Sequence, residues 1–252
     1  MILKPDSTLV GALHPSPNVG ERRKGCRANM ILLHYTGMSS AEKAVLWLAN
    51  PKAKVSCHYV IDDDGSITQM VPEGLRAWHA GASHWAGEID INSASIGIEI
   101  QNPGHDHGYP DFPAAQMQAV AALCRDIAAR RGVPPHRILA HSDVAPGRKI
   151  DPGEKFDWSW LAAKGVGHWV APAPLDADDA VCDEPGALAE AHELLARYGY
   201  DVEARGRDDW FAVVLRAFQI HFRRERADGR LDRSTLDTLR RLVAALPGSA
   251  TS

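Results

Sequence analysis

Long apolar runs are absent from this sequence. No segment approaches the roughly 18 consecutive apolar residues that a membrane-spanning helix needs. A large excess of charge of one sign is also absent, since the 252 residues carry a net charge of only −4. The chain therefore has no overall basic field of the kind that nucleic-acid-binding domains carry. These absences exclude a membrane span and a nucleic-acid partner at the level of sequence.

Paired cysteines are missing as well. Cys26, Cys57, Cys124 and Cys182 are scattered and never form a Cys-x-x-Cys pair, which argues against a thiolate metal cage or a redox motif. Reduced thiols, together with a start that has no charged segment followed by an apolar stretch, predict a cytoplasmic protein. A periplasmic or cell-envelope location is the alternative if a leader has been removed.

The hydrophobic pattern predicts an α/β fold with a central mixed β-sheet flanked by helices, followed by a small three-helix domain. The predicted strands are 29–35, 55–61, 67–71, 95–101 and 137–141. The predicted helices are 39–48, 114–131 and 156–161 in the first domain, and 187–198, 209–224 and 234–245 in the second. The domain boundaries are then 1–169, a Pro- and Ala-rich linker over 170–184, and 185–247.

Two histidines are expected at strand ends, where open α/β sheets place ligand groups. His34 ends the first strand, and His141 ends the last strand before a Pro-Gly loop that returns Asp151. Two imidazoles and one carboxylate are a ligand set that leaves an open position on a catalytic zinc ion. With 12 histidines and no His-Glu-x-x-His helix, spacing alone leaves ordinary loop and cap histidines as a competing interpretation.

Hydrolysis at such a site also needs a group that handles protons and a donor for the developing oxyanion. Glu99 lies at the centre of strand 95–101, on the face opposite Ile96, Ile98 and Ile100. Glu99 can serve as the group that handles protons. Lys149, two residues before the loop carboxylate, can serve as the oxyanion donor.

Five motifs resemble the bacterial zinc N-acetylmuramoyl-L-alanine amidases of the AmpD type, which are related to peptidoglycan-recognition proteins and a phage lysozyme. They are ILLHYT (31–36), VSCHYVI (55–61), RAWHAG (76–81), NSASIGIE (92–99) and HSDVAPGRKIDPG (141–153). The resemblance covers about residues 29–161, and it implies zinc ligation by His34, His141 and Asp151 with Glu99 and Lys149 as the catalytic pair.

The same resemblance implies the reaction and the partners. The expected reaction is hydrolysis of the amide between N-acetylmuramic acid, or its 1,6-anhydro form, and L-alanine, with peptidoglycan or a muropeptide as substrate. Residues 187–245 resemble the small peptidoglycan-binding domain. A non-catalytic peptidoglycan receptor and a zinc peptidase acting on the stem peptide are the rival interpretations.

Substrate contacts are expected around the motif loops, with simple loop packing as the alternative. The candidates are Tyr35, Trp78, His79, Ala80 and Asn92.

Two positions depart from the family pattern. Cys57 stands where the phage-lysozyme branch has a catalytic tyrosine, so we expect a packing thiol there and proton transfer at Glu99. Relatives that prefer the anhydro substrate carry an arginine near the position of Asp90, which leaves both substrate forms open.

Overall fold

The computed structural model describes residues 3–175, 185–203 and 206–247, and within these ranges it contains eight strands and eight α-helices. The strands are β1 (Ala12–Leu13), β2 (Val19–Gly20), β3 (Met30–Tyr35), β4 (Tyr59–Ile61), β5 (Ile67–Gln69), β6 (Arg76–Ala77), β7 (Ser95–Ile100) and β8 (Ile138–Ala140). The helices are α1 (Ala41–Leu48), α2 (Ile91–Ala94), α3 (Ala114–Arg131), α4 (His141–Val144), α5 (Trp158–Ala163), α6 (Ala187–Tyr198), α7 (Trp210–Phe222) and α8 (Arg233–Ala244). Of the predicted linker, residues 176–184 lie outside the described residues.

A six-stranded mixed sheet with the order β1-β5-β4-β7-β3-β8 confirms the predicted fold class. Strands β4, β7, β3 and β8 run parallel, and the β4–β5 hairpin is antiparallel. In the register between β3 and β7, His34 pairs with Glu99. Paired residues on neighbouring strands point to the same face, so the fold brings these two side chains together across 65 residues of sequence.

The two faces of the sheet differ in what covers them. Ile96, Ile98 and Ile100 pack with the buried side chains of α3 and α5 in one apolar cluster. Leu32 belongs to a second cluster on the opposite face, which also contains residues of the C-terminal helices. The alternation in β7 therefore predicts the faces correctly, and the face without isoleucines carries the candidate chemistry.

Several element boundaries differ from the predictions. The N-cap of α1 is Ser40, whose hydroxyl accepts from the amide of Lys43, so the helix begins at Ala41, two residues after the predicted start. His141 begins helix α4 instead of ending β8. Helices α3 and α6 have the predicted bounds, because Gly132 and Gly199 terminate them.

The three C-terminal helices pack directly against the first domain. Trp85 is buried between Tyr198 and Tyr200, with ring centroids 5.9 and 4.8 Å away. A side chain at Gly199 would begin 2.6 Å from the Trp85 ring, so only glycine permits this approach. Among the described residues, no helix is both long enough and apolar enough to cross a membrane.

The run of arginines in segment 223–230 predicts a solvated helix end, but the segment is partly buried. Arg223 is 1% exposed and donates to Asp232 and Thr235 at 2.7 and 2.6 Å. The prediction is wrong for Arg223, because a carboxylate from the start of α8 pairs with it.

We predict that Trp85→Ala lowers the free energy of unfolding by about 3–5 kcal/mol, the usual cost of removing a fully buried tryptophan. Urea unfolding measures the change. The matched control is Trp47→Ala, since Trp47 is 47% exposed and should change stability by about 0.5 kcal/mol or less. Equal losses in the two variants would show that Trp85 does not anchor the helices.

Candidate metal centre and active site

Three ligand-type atoms meet at the C-terminal end of β3. His34 Nδ1 lies 2.8 Å from His141 Nδ1 and 3.1 Å from Asp151 Oδ2, and His141 Nδ1 lies 3.0 Å from the same oxygen. All three residues are buried, with exposures of 1, 2 and 5%. Within the described part of the chain, this is the group of histidine, cysteine or acidic side chains placed to hold a metal ion.

The hydrogen bonds behind His34 fix which ring nitrogen carries the proton. Ser95 Oγ donates to the carbonyl of Ile91, so it accepts from His79 Nε2 at 3.3 Å. His79 Nδ1 is then unprotonated and accepts from His34 Nε2 at 3.0 Å. This leaves the lone pair of His34 Nδ1 directed at the site.

For His141, one hydrogen bond shows which ring nitrogen carries a proton. Its Nε2 lies 3.1 Å from the carbonyl oxygen of Ala80 and donates to it, so Nδ1 is the acceptor nitrogen of the neutral ring. Burial and then the neighbouring His141 lower the pKa of His34 to about 4, which keeps that imidazole neutral. Burial raises the pKa of Asp151, but the two histidines outweigh it and bring the pKa below its ordinary value. The site therefore offers two imidazole Nδ1 atoms and one carboxylate oxygen as possible metal ligands.

Glu99 lies beside this triad without a partner. Its Oε2 atom is buried and has no hydrogen-bond partner among the residues that the structure describes. Burial, followed by the negative charge of Asp151, raises the pKa of Glu99 well above its ordinary value, and Lys149 offsets part of the effect. A carboxyl group of this kind can carry a proton near neutral pH. Lys149 is exposed, and its charge acts on both Glu99 and His34.

The predicted substrate-contacting residues divide into two groups. Tyr35 and Trp78 are partly exposed, and the Tyr35 hydroxyl lies 3.1 Å from His105 Nδ1. Asn92 is buried, and its Oδ1 accepts from the amides of His79 and Ala80 at 2.9 and 2.8 Å. Because Ala80 is fully buried as well, it and Asn92 shape the backbone around the site. Substrate contact by these five residues stays a prediction.

Cys57 and His58 behave as core residues. Cys57 is fully buried, and its thiol donates to the carbonyl of Tyr59 at 3.2 Å. Burial and then Glu99 raise the pKa of this thiol well above its ordinary value, which favours a packing role. His58 Nδ1 accepts from the amide of Gly97 at 3.0 Å, away from the three candidate ligands.

Sequence reasoning missed Arg148, which joins the two loops at the site. Its guanidinium donates to the carbonyls of Ala80 and Ala82. It therefore ties the RAWHAG loop to the segment between His141 and Asp151. Its position beside Lys149 in the family motif was the only signal available in the sequence.

The mixed sheet holds a buried histidine pair, an aspartate and an adjacent carboxyl group, an arrangement suited to a hydrolase. The profile of the N-acetylmuramoyl-L-alanine amidase family, type 2, matches residues 24–154. The chain belongs to this family and is an amidase.

Relatives and a solved structure agree with this assignment. The N-acetylmuramoyl-L-alanine amidase AmiD of Escherichia coli is 36% identical over 223 residues, which cover 83% of this chain and 80% of that protein. The 1,6-anhydro-N-acetylmuramyl-L-alanine amidase AmpD of Salmonella typhimurium is 34% identical over 57% of this chain and 84% of its own length. AmiD of E. coli in complex with anhydro-N-acetylmuramic acid-L-Ala-D-gamma-Glu-L-Lys has a TM-score of 0.74 and 32% identity, covering 90% of this chain and 97% of that one.

The space for His79 depends on Gly97. A Cβ atom at this position would lie 2.5 Å from the His79 ring. We predict that Gly97→Ala displaces His79 and lowers stability by about 1–3 kcal/mol, as overpacking does. Thermal unfolding provides the measurement. The matched control is Gly74→Ala, where a Cβ meets nothing within 4 Å, and a Tm as high for Gly97→Ala as for this control would contradict the prediction.

Proposed function

We propose that the protein is a zinc-dependent amidase that hydrolyses the bond between N-acetylmuramic acid, or its anhydro form, and L-alanine in peptidoglycan or muropeptides. The observation that carries the proposal is the meeting of three acceptor atoms, His34 Nδ1, His141 Nδ1 and Asp151 Oδ2, at separations of 2.8–3.1 Å. Acceptors that share no proton repel one another, and a cation between them removes the repulsion.

The donor set fits zinc. Tetrahedral zinc with ligands at about 2.0–2.1 Å holds those ligands roughly 3.3 Å apart, close to the separations given above. Two nitrogens, one oxygen and an open fourth position match catalytic zinc sites. When bound, zinc would polarise the scissile carbonyl and lower the pKa of a coordinated water.

Glu99 is proposed to move the proton. Its buried, unpartnered Oε2 and raised pKa support a carboxyl that accepts a proton from the attacking water and delivers it to the leaving L-alanine amine. His34, paired with Glu99 in the β3–β7 register, keeps the carboxyl next to the ligand triad.

Lys149 is proposed to stabilise the negative charge that develops on the carbonyl oxygen. Its ammonium group is exposed, and its charge acts on Glu99 and His34. A cation at this position is a suitable partner for an oxyanion.

The C-terminal helices are proposed to be a peptidoglycan-binding module. The match to AmiD over 83% of this chain supports a role for this region in the same kind of enzyme.

The AmiD complex with an anhydro-muramyl tripeptide supports a muropeptide as substrate. Activity on an anhydro-muropeptide compared with that on intact sacculi tests which form this chain prefers.

We predict that Glu99→Gln lowers kcat by about 100- to 10,000-fold, because it removes the proton-transfer group, and leaves zinc binding unchanged. Turnover of a muropeptide, followed by chromatography, and metal analysis of the same samples check both parts. Wild-type turnover in a zinc-loaded Glu99→Gln variant would contradict the assignment.

Metal removal gives a separate prediction. Dialysis against a chelator should abolish activity, and one equivalent of zinc should restore it, because three protein ligands are present. The variant His34→Ala should not recover under the same conditions. Full activity after the metal has been removed would contradict zinc dependence.

The products distinguish the amidase from its rivals. Mass spectrometry of a digested muropeptide should find the free sugar together with the intact stem peptide. A shortened stem would indicate a peptidase, and an unchanged muropeptide in the presence of bound zinc would indicate a receptor.

A further inference from the structure

The C-terminal helices reach the loop that carries two of the three candidate metal ligands. Asp143 lies two residues after His141 in α4 and is fully buried. Its Oδ1 accepts from the hydroxyl of Tyr200 at 2.6 Å, and its Oδ2 accepts from His221 Nδ1 at 2.7 Å. Both donors belong to the C-terminal part of the chain.

The carboxylate of Asp143 depends on these two donors. Its Oδ2 also accepts from the amide of Ala140 at 2.8 Å, within its own turn. A buried carboxylate held by a single amide is costly, since ionised groups need several hydrogen bonds when water is excluded. The ring of His221 is held in turn by stacking on Trp158, with centroids 3.7 Å apart.

Backbone and apolar contacts act on the same loop. The amide of Ser142 donates to the carbonyl of Asp151 at 3.0 Å, which closes the segment between the two ligands. A Cβ atom on Gly147, in the middle of that segment, would lie 2.7 Å from a methyl group of Val213 in α7. Val144 belongs to the apolar cluster shared with the C-terminal helices. The loop is therefore packed against the C-terminal part of the chain at Asp143, Val144 and Gly147.

We propose that Tyr200 and His221 are positioning residues of the metal centre: by holding Asp143 they fix α4, and with it His141 and the return of the loop to Asp151. The proposal rests on the metal site of the proposed function. It assigns the C-terminal helices a role in metal binding that is separate from any contact with the cell wall. The side chains of a functional site must be held within about 0.5 Å of their working geometry. Mutation of the residues that hold metal ligands in place typically lowers metal affinity by about 10- to 100-fold.

The test is the zinc affinity of the full chain, measured by competition with a chromophoric chelator and needing no substrate. Tyr200→Phe removes one hydroxyl and should weaken zinc binding about 10-fold. The matched control is Tyr198→Phe, which removes the buried hydroxyl that lies 3.0 Å from His168 Nδ1, and it should bind zinc like the wild type. The absorption spectrum of the cobalt-substituted protein should change in Tyr200→Phe alone, because it reports ligand geometry.

His221 provides a second pair of variants that does not depend on the folding of Tyr200→Phe. His221→Leu removes the donor and should weaken zinc binding about 10-fold, whereas His221→Asn keeps an N–H near the position of Nδ1 and should recover most of the affinity. Urea unfolding of the metal-free proteins separates this effect from a general loss of stability.

Three outcomes would overturn the proposal. Wild-type zinc affinity and an unchanged cobalt spectrum in Tyr200→Phe would show that Asp143 does not position the ligands. Equal losses in Tyr200→Phe and Tyr198→Phe would assign the effect to stability alone. A wild-type chain that binds no metal would overturn the proposed function and this positioning role together, whereas the first two outcomes leave the proposed function intact.

Discussion

The structure depends on holding three acceptor atoms about 3 Å apart on buried side chains. The two histidines are also held by groups outside the triad. His34 is held through His79 and Ser95, and His141 through the carbonyl of Ala80. Gly97 leaves room for the His79 ring, and so a missing Cβ is as much a part of the site as the ligands.

The two faces of the sheet have different roles: one stabilises the fold, and the other carries the candidate active site. The isoleucines of β7 fill one face and are covered by α3, whereas Glu99 points to the other face next to His34. Burial of Glu99 without a partner for Oε2 is unfavourable for folding, and it is also the condition that raises the pKa of the carboxyl. The stability of the isoleucine face makes this arrangement tolerable.

Local patterns in the sequence were sufficient for part of this description. The glycines after α3 and α6 predicted where these helices end, and the alternation of side chains in β7 predicted which face of the sheet carries Glu99. The start of α4 at His141 was not predicted, because a one-turn helix has too few residues for a periodic pattern. The pairing of Asp143 with Tyr200 joins residues 57 positions apart, and a single sequence contains no local signal for it.

The contact between the first domain and the C-terminal helices resembles the core of a single domain more than a contact between flexibly linked domains. Interfaces between loosely joined domains are small and polar, but here Trp85, Val144 and Phe218 share one buried cluster. AmpD of S. typhimurium aligns with only 57% of this chain, so family members differ in how much of the chain they match. In this chain the helices cannot move away from α4 without exposing that cluster and the Asp143 carboxylate. If the helices bind a glycan strand, as proposed, the strand would be presented to the triad at a distance set by this packing instead of by linker length.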